Sequence, residues 1–65
     1  MFALCTTAQS GARYYLVGSD DLSVLEKHAT TFRSSKEACE ARDKAKLPRC
    51  DHYGARLRGF HLVRL

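Results

Sequence analysis

The sequence predicts an α+β fold, a small antiparallel sheet in the order β-β-(β)-α-β with one helix packed on one face. Three observations point to it. A short run that is apolar on both faces stands at the start of the chain, and a long segment with a period of two stands at its end. A serine-capped, alanine-striped helix lies between them. The apolar supply of eight Leu, three Val, three Phe, three Tyr and one Met, with no Ile and no Trp, suits a single sheet covered by a single helix. A chain of 65 residues buries only about 60% of its unfolded surface, so residues 1–65 are expected to form one domain. A deep cavity of several hundred cubic ångströms, roughly what a small-molecule site needs, is not expected.

Phe2, Leu4 and Thr6 alternate with Ala3 and Cys5 and predict a first, buried strand. Ala8-Gln9-Ser10-Gly11 supplies a turn, and Arg13 to Gly18, with Tyr14, Tyr15, Leu16 and Val17, predicts a second strand closing an antiparallel hairpin. In Ser19 to Ala29 two periodicities compete. Leu22, Leu25 and Ala29 fit a helical turn capped by Ser19 or Asp20, whereas Leu22 and Val24 fit a strand returning after an Asp20-Asp21 turn. The residues leave both open. Ala29 to Phe32, with Thr30 and Thr31, predicts a third strand.

Ser34-Ser35-Lys36-Glu37 is a capping box: a serine oxygen accepts from the Glu37 amide, and the Glu37 carboxylate reaches back to the serine amide. Ala38, Ala41 and Ala45 then share one narrow face, and Glu40, Asp43, Lys44 and Lys46 are left for water. Pro48 ends the helix by about Lys46. Residues 49–54 form a polar loop. From Ala55 to Leu65 a period of two places Leu57, Gly59, His61, Val63 and Leu65 toward the helix and Arg56, Arg58, Phe60, Leu62 and Arg64 outward. Phe32 to Ala38, a Phe-x-Ser-x-x-Glu-Ala step from strand to helix, is similar to the corresponding step in integrase arm-type DNA-binding modules. It consists mostly of capping chemistry, and no function is carried over from it.

The net charge of +4 is unevenly distributed. Residues 1–32 carry Arg13 and Lys27 against Asp20, Asp21 and Glu26, whereas residues 33–65 carry nine basic and four acidic side chains. A basic C-terminal half favours an anionic partner, an acidic protein surface or nucleic acid. The N-terminal Met1 to Thr7 has neither the basic region nor the apolar length of a signal segment, and no stretch approaches a membrane span. Cys5, Cys39 and Cys50, odd in number and widely spaced, are expected to be reduced thiols in a cytoplasmic protein.

The outward face of the last strand is the main candidate site. Arg56, Arg58 and Arg64 supply cations for carboxylates or phosphates, Phe60 and Leu62 an apolar patch, and Arg49 and Tyr53 are added from the loop before it. Arg58-Gly59-Phe60-His61-Leu62-Val63-Arg64-Leu65 resembles the signature octamer of RNA-recognition motifs at its basic, glycine, aromatic and valine positions. Leu62 and Leu65 stand where that octamer has further aromatic residues. Cys39, Cys50, His52 and Cys5 are zinc-type ligands without a Cys-x-x-Cys pair, so no metal and no cofactor is expected. Cys50 beside His52 lacks an orienting third group, and no phosphate loop or paired helical carboxylates are present, so catalysis is not expected.

These observations predict a non-enzymatic binding protein, a monomer or homodimer. It would occupy or occlude an acidic surface of a larger protein or nucleoprotein, in the manner of phage or mobile-element accessory inhibitors of host systems. The alternative is a nucleic-acid-binding module that uses the same face.

Overall fold

The computed structural model describes residues 1–18, 20–44 and 47–65. Its strands are β1 (Phe2–Thr7), β2 (Arg13–Val17), β3 (Asp21–Ser23) and β4 (His61–Arg64), with one helix, α1 (Ser35–Lys44), between β3 and β4. The sheet is antiparallel in the order β3-β2-β1-β4. The expected α+β architecture is therefore present: a four-stranded sheet with one helix packed against β1 and β4.

Strand β1 lies centrally because its apolar content suits burial on both sides: Ala3, Leu4, Cys5 and Thr6 are all buried. Leu4 and Leu16 face the helix and form the core with Ala38 and Phe60, and Phe2, Leu22, Phe32, Leu47, Leu57 and Leu62 pack around them. Ala38 is fully buried because an alanine lets the helix backbone approach the sheet closely. Ala45 and Lys46, expected near the helix end, lie outside the described residues, as does Ser19.

Ser34 caps α1, its hydroxyl accepting from the Glu37 amide at 3.2 Å. The return contact differs from the expected box: the Glu37 carboxylate accepts from the Arg33 amide at 3.3 Å, one residue earlier than the serine. The third strand is also displaced. It is Asp21–Ser23, paired with β2 through Leu16↔Leu22, whereas Ala29 to Phe32 forms no strand. Thr30 is drawn out of a ladder by two local ties. Its amide donates to the Leu16 carbonyl, and its hydroxyl accepts from the Gly18 amide at 2.6 Å. Only Phe32 pairs, exchanging two backbone bonds with Phe2. Of the two patterns competing in 19–29 the strand is the one realised in part, as β3; the helical turn through Leu22 is not, and the short 3-10 turn at Glu26–His28 begins only after Leu25, without a side-chain cap.

The largest correction concerns the last strand. Continuous alternation from Ala55 to Leu65 fails because β4 is only His61–Arg64, and the pairing with β1 changes register below it. Cys5 pairs with His61 and Ala8 with Leu57, so Thr6 and Thr7 stand opposite Arg58, Gly59 and Phe60. One extra residue in an antiparallel pair is a bulge, and it shifts every later side chain to the other face. Leu57 does meet the helix side, as expected. Beyond the bulge, however, it is Phe60 and Leu62 that turn inward: Phe60 is only 8% exposed, and Leu62 packs against the core. Leu62 lies across from Leu4 and Arg64 from Phe2, while His61 and Val63 lie across from Cys5 and Ala3 on the face turned away from the helix.

A basic groove as candidate functional site

The segment from Arg49 to Arg58 folds into a tight loop held by its own backbone. Leu57 N donates to Arg49 O at 2.8 Å, Asp51 N to Ala55 O at 2.9 Å and Gly54 N to Asp51 O at 3.1 Å, and Cys50 bridges Arg56. Gly54 takes φ +83°, a left-handed conformation that side-chain-bearing residues adopt at a cost. The loop is then fixed to the sheet. Arg58 N donates to Thr7 O, Gln9 N donates to Arg56 O, and the Thr6 hydroxyl donates to Arg58 O.

Asp51 organises this loop. One carboxylate oxygen accepts from the Tyr53 amide at 2.9 Å and the Ala55 amide at 2.8 Å, and the other from the Tyr14 hydroxyl at 2.9 Å. Burial pushes the Asp51 carboxyl upward, but the bonds from Ala55, Tyr14 and Tyr53 together with nearby His52 outweigh it and hold the group below its ordinary value. The same bond, accepted by a carboxylate, raises the Tyr14 phenol, with desolvation adding in the same direction. Asp51 was not singled out by sequence reasoning. Asp51-His52-Tyr53-Gly54 is nevertheless a recognisable aspartate-to-glycine turn; only the tie to Tyr14 needed the fold.

Between this loop and the chain leaving α1 lies an open groove of about 360 Å³. Leu47, Pro48, Leu57, Gly59 and Phe60 supply its apolar lining. Arg49, Arg56 and Arg58 line the same groove, and all are exposed. Among the described residues the one ion pair is Arg42 with Asp43 on α1, so no carboxylate neutralises the groove arginines. Asp51, the nearest acid in sequence, is occupied by its own loop.

Four of the expected contact residues, Arg49, Arg56, Arg58 and Phe60, are thus brought together, with Phe60 as a buried wall instead of an outward ring. The other three are not. Leu62 is part of the packed side of the sheet, Arg64 lies at the far end of β4 opposite Phe2, and Tyr53 stands 92% exposed at the loop tip. Leu47 and Pro48 also line the groove and were missed, since nothing local in the sequence places them beside Arg56 to Phe60. Cys5 is buried in β1, Cys39 half-buried on α1 and Cys50 exposed in the loop, and the described residues hold no grouping of three or more His, Cys, Asp or Glu side chains suited to a metal. Burial raises the Cys5 thiol pKa, partly offset by Arg13 and the Thr6 backbone. No described helix is long and apolar enough to cross a membrane.

No family model matches the chain, and neither a curated protein nor a solved structure is significantly similar to it. The chemistry of the groove is therefore what bears on function.

Proposed function

We propose that this protein is a non-enzymatic binder that uses the Arg49–Arg56–Arg58 groove to engage an acidic segment of a larger protein, occupying or occluding that partner's surface. The observation that carries this reading is three exposed guanidinium groups lining one groove, with no acidic partner among the described residues. Collecting like charges is unfavourable in the free protein and favourable once an anion is bound. Guanidinium groups suit carboxylates in particular, because their forked donors match both oxygens. Apolar lining beside the cations suits a protein segment, which brings aliphatic side chains along with its acids.

Nucleic acid is the second reading, since the same arginines suit phosphates. It is weakened by Phe60, whose ring is packed in the core and offers no platform for a base. The two readings separate in one experiment. Capture from nuclease-treated lysate by the wild type and by an Arg49→Glu/Arg58→Glu variant should retain a protein partner with the former and lose it with the latter. Capture that disappears with nuclease, together with oligonucleotide affinity falling at a log–log salt slope of roughly −0.9 per duplex phosphate contacted, supports nucleic acid instead.

A further inference from the structure

Beside the groove the outer edge of β4 is open. Bonded and non-bonded pairs alternate along an antiparallel ladder, and Leu65 N donates to Met1 O at 2.8 Å. In the register Phe2↔Arg64 to Cys5↔His61, the residues bonded to β1 are therefore His61 and Val63. The N–H and C=O groups of Leu62 and Arg64 point the other way. Phe2 obeys the same phase, since it exchanges both its bonds with Phe32 on the opposite side of β1. No strand among the described residues follows β4 in the sheet order. Lower on the same edge the position is already taken, because Leu57 N donates to Arg49 O. The paired part of the edge therefore ends at the groove and the open part runs on from it.

We infer that an acidic, extended peptide segment of the partner adds to the outer edge of β4, its carboxylates meeting the groove arginines at one end and Arg64 at the other. This rests on the protein-directed reading of the groove. Charge selects the occupant: Ala55 to Leu65 contains Arg56, Arg58 and Arg64 and no acidic residue. A second copy of this chain pairing β4 against β4 sets basic arm against basic arm, which like-charge repulsion opposes. At about 3.3 Å per residue, the stretch from Arg58 to Arg64 matches a peptide of about six residues. Backbone bonds to Leu62 and Arg64 supply affinity, and the arginines supply preference for acids.

The test uses the isotope-labelled full chain and a capped peptide of about eight residues alternating glutamate and valine, long enough to span the edge. Two further versions carry N-methyl groups on one or the other alternate set of amides. On binding, the Leu62 and Arg64 amides should exchange at least about tenfold more slowly, while Val63, already bonded to Ala3, changes little. One methylated set should lose at least about tenfold in affinity, the worth of about one or two hydrogen bonds, and the other should retain it. Arg64→Pro should weaken binding beyond Arg64→Ala, since only the former removes the outward amide. Equal binding of both methylated peptides with unchanged Leu62 and Arg64 exchange overturns edge pairing and leaves the charged groove standing. Absence of peptide binding overturns the inference outright, and binding of a single-stranded oligonucleotide in its place overturns the protein-directed reading as well.

Discussion

The β1–β2 hairpin and the C-terminal arm are both read by alternation, yet only the hairpin obeys it throughout. In the hairpin the ladder runs without interruption from Thr7↔Arg13 to Cys5↔Tyr15, so Tyr14 and Leu16 are buried and Arg13 is exposed. In the arm the same strand β1 is the partner, but Arg58, Gly59 and Phe60 occupy the space of Thr6 and Thr7. Alternation belongs to the chain, whereas the face a residue occupies belongs to the ladder, and one extra residue separates the two. The consequence is functional. Above the bulge Phe60 and Leu62 join the core, and below it Arg56 and Arg58 line the groove with Arg49.

The largest expected effects test whether the two regions share one core. Leu4→Ala in the hairpin and Phe60→Ala in the arm should each destabilise the protein by about 3 kcal/mol in denaturant unfolding, as buried large-to-small changes do. If Phe60→Ala costs less than about 0.5 kcal/mol, the ring faces solvent and the arm was continuous after all. Asp51→Asn comes next, because it weakens the clasp between Tyr14 and the arginine loop. Its sign with pH is fixed by the depressed carboxyl. The stability Asp51 contributes is fully present above the ordinary carboxylate value of about 3.9 and is lost as pH falls through the lower folded value. The acid limb of the stability profile should therefore be shallower in Asp51→Asn, and an unchanged acid limb would show that the clasp does not hold the loop.

Smaller effects sharpen the contrast between scaffold and contact surface. Ser34→Ala should cost about 1 kcal/mol through loss of the bond to the Glu37 amide, checked by the unfolding midpoint. Arg56→Ala and Arg58→Ala should change stability by no more than about 0.5 kcal/mol, because both side chains are exposed and without an acidic partner among the described residues. A large loss from either would make it a structural residue and remove it from the contact surface.

What is legible in the sequence divides along the same line. The hairpin, the Ser34 cap and the burial of Ala38 on α1 are written in local chemistry, and local chemistry decided them. The β-branched run at Thr30 and Thr31 misled because the Thr30 amide and hydroxyl are used by Leu16 and Gly18, leaving the third strand to Asp21–Ser23. In the arm, Gly59 was the available sign, since a glycine inside a strand pattern often marks a bulge. The arginines of the groove were visible as basic residues, but their gathering depends on the Asp51 clasp and on Leu47 and Pro48. Those depend on contacts between segments far apart in the chain.

The change of register carries the whole account, and proton contacts between strands in solution test it most directly. In non-bonded antiparallel pairs the Cα atoms lie about 4.5 Å apart, which brings their hydrogens into close contact. The fold described here places Leu4 with Leu62 and Ala8 with Leu57 in such pairs. Nuclear Overhauser spectra should accordingly contain Hα–Hα cross-peaks for both. A cross-peak joining Ala8 to Arg58 in place of Leu57, with Leu4 still joined to Leu62, would mean an uninterrupted ladder and contradict the bulge that forms the groove.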